Sequence, residues 1–311
     1  MTGLATSTGL SEVQEMLLRY IVGASACLSL CGCSIIVYSV LQIRELYKRL
    51  FAIRLIFFLT LADGAAALFN VLGAFVDVRA LLKAGRPSTL CEAQAGGLLY
   101  FNLASIMWTS CFAFTLYRDL VPSSRRPALR TYENYYHLLC WPIPAALAGT
   151  AAALGYLGDS GPWCALGPAY SHEYLLCFYL PLVCAFAFNI VAYALVRAHS
   201  REKRVSRTTS LYLLVAVVVW SPSLVRRLQM SVFDARRADF ILAVLEAVCM
   251  PLQGALNAAV YGWSLPPILD ACRFMLLGTD SIDAAADVQN GQAASPTEST
   301  DSYSPPGLQT G

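Results

Sequence analysis

The chain has 311 residues, of which 57% are hydrophobic and only 14% charged, with a mean hydropathy of +0.55. Soluble domains carry nearer a quarter charged residues, so this composition excludes an ordinary water-soluble fold and points to lipid as the solvent. The net charge of +2 is too small to indicate a nucleic-acid partner, and where the charges sit matters more than their sum.

A helix crossing about 30 Å of hydrocarbon needs about 20 mostly apolar residues. Seven such stretches succeed one another, at about 17–41, 52–76, 92–117, 136–157, 174–197, 209–231 and 239–262, separated by polar, Pro- or Arg-bearing segments. The expectation is an all-α membrane protein in four parts: an outside N-terminal segment over 1–16, a seven-transmembrane-helix bundle over 17–264, a short interfacial helix over 265–277 and a disordered cytoplasmic tail over 278–311. Ile268, Leu269, Cys272, Met275 and Leu276 recur at helical spacing in a segment too short to span, which suits a helix lying in the interface. Asp, Ser, Thr, Pro, Gln and Gly dominate the chain from Gly278 onward, a composition that cannot bury a core. No internal repeat of the transporter kind is present.

Basic residues set the orientation. With the N-terminus outside, 14 of the 22 lysines and arginines fall on the inner side, against eight on the outer side. The chain therefore reads as a multi-pass plasma-membrane protein with its C-terminus in the cytoplasm.

Prolines at 142, 144, 181, 222 and 251 each remove a backbone hydrogen bond from an apolar stretch and predict kinks there. Trp220-Ser-Pro222 sets a large aromatic beside one kink, a hinge or simple packing. Asp63, Ser105 and Asn257 are polar residues deep in apolar stretches, where each is costly without a partner. A hydroxyl and an amide can serve the carboxylate directly, or through water or a cation. The grouping is read as a polar relay, with static glue between helices as the alternative.

Of the eleven cysteines, only Cys91 and Cys164 fall at the outer surface, the oxidising side, so a disulfide between them is expected; two unpaired thiols are the alternative. No paired Cys/His spacing suggests a metal, and no cofactor is expected. The outer side is unusually basic. Arg226 and Arg227 close the sixth span, and with Gln94, Glu173 and Glu246 they make up the expected ligand-binding set. Guanidinium forks suit phosphate or carboxylate. Against this, Glu92, Asp159, Glu173, Asp234, Asp239 and Glu246 are near enough to neutralise several arginines. In the tail, Ser295, Thr297, Ser299, Thr300, Ser302 and Ser304 are interleaved with Glu298 and Asp301 and are expected phosphorylation sites for a kinase and an arrestin-type partner.

The runs Cys91-Glu-Ala-Gln94, Ala104-Ser-Ile-Met-Trp108-Thr and Ala113-Phe-Thr-Leu-Tyr117-Arg118 resemble the third helix of cyclic-AMP-receptor-like G-protein-coupled receptors. Leu252-Gln253-Gly254-x-x-Asn257-x-x-x-Tyr261-Gly262 is similar to their seventh helix, and Leu61-Ala-Asp63 and Trp220-x-Pro222 match signatures shared more widely among seven-helix receptors. The resemblance covers roughly 17–277. It departs from the rhodopsin-like pattern in the order Tyr117-Arg118-Asp119 and in the missing proline after Asn257.

The resemblance implies a small-molecule ligand outside, anionic and similar to cyclic AMP, and a heterotrimeric G protein inside. It makes Trp220, Pro222 and Tyr261 the expected activation switch. Arg118, Arg201, Lys203 and Arg204 become the expected G-protein contacts, lipid phosphate being the alternative for Arg118. An opsin would need a lysine in the seventh span, whereas lysine occurs only at 48, 83 and 203. The three histidines sit at helix ends, which disfavours an enzyme. A non-coupling seven-helix protein and a small transporter stay open as alternatives.

Overall fold

The computed structural model describes residues 10–43, 47–48, 51–75, 89–120, 130–160, 162–167, 170–199, 203–232 and 239–264. The expected interfacial helix, the tail with its six phosphorylation sites, and Arg201 lie outside the described residues. All described residues belong to one unit within Met1–Cys272.

Helix α1 (Glu12–Gln42) begins five residues earlier than the apolar pattern suggests, because Ser11 and Gln14 cap it reciprocally. The Gln14 amide donates to Ser11 Oγ (3.2 Å) and the Ser11 amide to Gln14 Oε1 (2.9 Å), so two of the orphan donors at the helix start are satisfied. Glu12 and Glu15 add favourable charge in that first turn. Next come α2 (Phe51–Phe75) and α3 (Thr89–Leu120). The fourth span is two helices, α4 (Arg130–Cys140) and α5 (Pro142–Ala153), broken at Trp141 where Pro142 starts afresh at a position that needs no donor.

The loop expected before the fifth span folds as a hairpin of β1 (Leu157–Asp159) and β2 (Cys164–Leu166), antiparallel with Leu157 opposite Leu166 and Asp159 opposite Cys164. The fifth span opens with α6 (Ser171–Tyr174) and a π turn over Leu175–Tyr179, then continues as α7 (Leu180–His199). The widened turn lies just before Pro181, whose missing N–H disturbs the ladder there. Helix α8 (Lys203–Val232) carries Pro222 inside it. The seventh span is α9 (Phe240–Cys249), capped by Asp239 on the Ile241 amide (3.0 Å), and α10 (Gln253–Ser264).

Four of these helical stretches are single runs long and apolar enough to cross a bilayer, and the α9–α10 pair makes a fifth, bent by 44°. Grouped with the split fourth span and α8, the described residues trace the expected seven-helix bundle.

Two large apolar clusters and a smaller third, around Leu18 and Val22 of α1 and Ala243 of α9, fill it among the described residues. At the hairpin end, Cys91, Leu99 and Leu103 of α3 pack with Leu157 and Leu166 of the hairpin and with Phe178, Tyr179 and Trp220. At the opposite end, Phe51, Ile56 and Leu59 of α2 pack with Trp108, Tyr136 and Tyr261. There Arg54 Nε of α2 meets Glu133 Oε1 of α4 at 2.9 Å, and the Arg118 guanidinium lies 4.1 Å above the Tyr132 ring.

Candidate functional site

Two polar groupings stand out against this apolar background. The first sits mid-bundle, where α2, α3 and α10 meet. The Ser105 hydroxyl donates to Asp63 Oδ1, Gln253 Nε2 donates to the same oxygen (2.9 Å) and to Ser105 Oγ (2.6 Å), and Asn257 Nδ2 donates to Asp63 Oδ2 (2.8 Å). The structure thus brings Asp63, Ser105 and Asn257 together, as their placement in the sequence suggested. Gln253 is the member that placement missed.

The break in the seventh span explains why Gln253 is there. Pro251 interrupts the helical ladder, and the Ala255 amide donates instead to Ser29 Oγ of α1 (2.9 Å). A serine hydroxyl thereby satisfies a backbone donor that the bend leaves over. The bend also needs Gly254, because a Cβ there would sit 2.6 Å from Cys33 Sγ and 3.0 Å from Ser29 Oγ. α10 can then approach closely enough for both amide side chains to reach Asp63.

Beside this network lies a cavity of about 20 Å³ lined by Trp220, Gln253, Asn257, Tyr261 and Asn189 among others. Two of the three expected switch residues therefore border the same small space as the relay. Trp220 is fully buried, its ring 5.2 Å from that of Phe178. Among the described residues no group of three or more His, Cys, Asp or Glu side chains is arranged to hold a metal.

The second grouping lies at the hairpin end. The Cys91–Cys164 disulfide is formed and ties the hairpin to the start of α3. The hairpin turn also docks on α1, where Arg19 Nε donates to the Pro162 carbonyl (3.2 Å), and Trp163 packs with Leu18, Val22, Ala243 and Ala247.

Beneath this cap Arg226 pairs with Glu246, which also accepts from Ser223 Oγ (2.9 Å); Ser223 in turn shares a hydrogen bond with the Tyr179 hydroxyl (2.6 Å). The Arg226 guanidinium lies 5.5 Å from the Trp163 ring centre, and that of Arg227 lies 4.2 Å from the Tyr174 ring centre. The sequence suggested a basic outer side with acidic residues near enough to neutralise several arginines. Both arginines are buried there, 6% and 4% exposed, because aromatic faces and one carboxylate enclose them.

Arg226, Arg227 and Glu246 of the expected ligand set thus come together. Glu173 is half-buried beside Tyr174 at the same end, while Gln94 packs toward α2, its amide lying across Gly73 so closely that no Cβ would fit there.

Breaking the buried pair from one side should be costly. Glu246→Ala leaves Arg226 enclosed without its carboxylate, and about 3–5 kcal/mol of stability should be lost. Thermal unfolding of the purified protein should show this as a large drop in midpoint, with a smaller drop in the double variant Glu246→Ala, Arg226→Leu.

At the opposite end Arg118 is buried against Tyr132, and Lys203 and Arg204 lie on the first turn of α8 with their side chains outside the described residues. Cys111 and Cys140 approach to 3.5 Å between sulfurs, a pairing no spacing announced.

A membrane-spanning helical bundle with a polar core and a disulfide-pinned cap is the architecture of a G-protein-coupled-receptor-like protein. Comparison agrees: the family described as "Slime mold cyclic AMP receptor" matches over residues 11–228. The chain belongs to that family, which is a receptor family rather than an enzyme family.

It is 30% identical over 258 residues to Cyclic AMP receptor-like protein A of Dictyostelium discoideum, covering 81% of this chain and 66% of that protein. It is 25% identical over 285 residues to G-protein coupled receptor 1 of Arabidopsis thaliana, covering 84% and 82%. Squid rhodopsin shares the fold, with a TM-score of 0.62 at 13% identity over 92% of this chain and 93% of that one.

Proposed function

We propose that this chain is a plasma-membrane receptor, with its hairpin end outside, that binds a small anionic ligand and drives nucleotide exchange on a heterotrimeric G protein. The observation that carries the ligand class is the charge balance at the hairpin end. Two buried guanidiniums face one paired carboxylate, and Arg226 Nε and Arg227 Nη1 have no hydrogen-bond partner among the described residues. Buried charges are normally matched, so an anion entering under the cap would meet ready donors.

Orientation rests on the excess of basic residues at the opposite side and on a disulfide that suits an oxidising compartment. Signalling results if the ligand favours one of two bundle arrangements, which the Asp63 network between α2, α3 and α10 distinguishes. A cation at Asp63 is one way that network could be tuned. Arg201, Lys203 and Arg204 supply basic groups for the G protein, Arg118 joining them when the bundle rearrangement frees it from Tyr132, and phosphates on the tail would recruit a desensitising partner.

The name of the Dictyostelium relative makes cyclic AMP the first anion to test. Labelled cyclic AMP, with other nucleotides and dicarboxylates as competitors, should bind membranes carrying the chain. Arg227→Ala is the informative variant because it strips no carboxylate of its partner. It should weaken binding by about tenfold or more, the loss of one charge-assisted hydrogen bond. Anions that fail to bind, or that bind wild type and variant equally, would remove the hairpin-end arginines from recognition.

A further inference from the structure

Two cysteines that belong to neither polar grouping touch where α3 meets α4. The Cys111 and Cys140 sulfurs are 3.5 Å apart, within reach of an S–H donated from one to the other. The contacts on either side fix that approach. The two helices run in opposite directions and meet once per turn. Trp108 lies beside Trp141 with ring centres 5.8 Å apart, then Cys111 meets Cys140, then Thr115 Oγ1 shares a hydrogen bond with the Tyr136 hydroxyl at 3.1 Å. One turn further on, the Arg118 guanidinium covers the Tyr132 ring. Slipping either helix would break the neighbouring contacts, so the two thiols are held in register.

Access to the pair is one-sided. Cys140 is buried, whereas Cys111 is half-buried and lines a groove with Tyr135, Leu139, Cys184 and Phe188. Tyr135, Leu139 and Phe188 are 59%, 45% and 42% exposed, so the groove opens sideways out of the bundle. In a membrane-spanning bundle that direction is hydrocarbon, and a reagent reaching Cys111 this way comes dissolved in lipid.

That surrounding selects the chemistry. Hydrocarbon does not solvate a thiolate, and oxidation of cysteine by hydrogen peroxide proceeds through one. Loss of a hydrogen atom creates no charge. A lipid peroxyl radical takes the hydrogen of the Cys111 S–H, leaving a sulfur radical and a lipid hydroperoxide. The sulfur radical takes the hydrogen of Cys140 across the 3.5 Å contact, which restores the Cys111 thiol and moves the radical to the buried sulfur. A second peroxyl radical removes the restored hydrogen, and the two sulfur radicals couple. Two thiols thus lose two hydrogen atoms, two peroxyl radicals become two hydroperoxides, and one S–S bond forms. The sulfurs must close by about 1.5 Å to bond, a distance that side-chain rotation supplies.

We propose that Cys111 and Cys140 form a redox-modification site, which lipid peroxyl radicals convert to a second disulfide tying α3 to α4. With that seam locked, Tyr132 stays beneath Arg118. The site depends on the chain spanning a membrane and not on its ligand or its coupling to a G protein.

The test uses the full wild-type chain in nanodiscs of polyunsaturated phosphatidylcholine, with a lipid-soluble azo initiator to start peroxidation. Free thiols are alkylated and peptides mapped without reduction, the Cys91–Cys164 link serving as internal reference. A Cys111–Cys140-linked peptide should appear with initiator, be lost when α-tocopherol is present, and revert to two alkylatable thiols after a phosphine reductant. Aqueous hydrogen peroxide at matched oxidising equivalents should give at least about tenfold less of it, because that route needs a thiolate. Thiols that stay free while the lipid is extensively peroxidised overturn the proposal. So does Cys111 linked instead to Cys184 or to a second copy of the chain. Aqueous peroxide that links the pair as readily as the lipid radical overturns the route from the bilayer.

Discussion

Replacing Asp63 with Asn should leave ligand affinity within about threefold while lowering ligand-stimulated nucleotide exchange on the G protein by about tenfold or more. The reason is a mismatch of donors. Asp63 accepts from Ser105, Gln253 and Asn257, and an asparagine keeps one acceptor while turning its own N–H groups toward those donors. Each buried donor left without an acceptor costs about 1–3 kcal/mol, and the members of a shared network do not lose independently. Because the network joins α2, α3 and α10, the penalty falls on their relative placement rather than on the hairpin end. The measurement is dose–response for exchange beside direct ligand binding, at matched surface level. A variant that signals like wild type would reduce the network to structural glue.

Removing the Cys91–Cys164 bridge should lower stability and ligand response together. It closes a loop with a sequence separation of 73, for which chain-entropy arguments give about 4 kcal/mol. Helices already held in a bilayer restrict the unfolded state, so the realised loss is smaller than that. The bridge also holds Trp163 over Arg226, so its loss frees the cap as well as the chain. Cys91→Ser and Cys164→Ser should each lower surface expression and ligand response together, and the double variant should be no worse than either. Peptide mapping of native protein under non-reducing conditions should recover the linked pair; finding both thiols free would contradict the bridge.

How legible this was in the sequence depended on distance along the chain. Asp63, Ser105 and Asn257 stood out because a polar residue inside an apolar stretch has few reasons to be there. Pro142 and Pro251 marked the two spans that the structure breaks. Gln253 was harder to place, because it comes after a bend whose direction depends on Ser29, 226 residues away from Ala255 in the chain, accepting from the Ala255 amide.

The hairpin left little trace, since strands of three residues make no period. The arginines at 226 and 227 showed their charge but not their burial. That depended on Glu246, 20 residues beyond Arg226, and on Trp163 in a different loop, both turning toward them. Cys111 and Cys140, 29 residues apart in the chain, meet only because α3 and α4 pack side by side.

In the proposed receptor, an anion held under the hairpin changes what the opposite end does to a G protein. Guanine-nucleotide exchange on a purified heterotrimer, with the wild-type chain in nanodiscs, measures it directly across a panel of cyclic nucleotides and other small anions. At least one anion, cyclic AMP first among them, should accelerate exchange in a saturable way, and Arg227→Ala should shift the response to higher concentration. Exchange that stays at the basal rate for every anion, while the same preparation binds one of them, would contradict it.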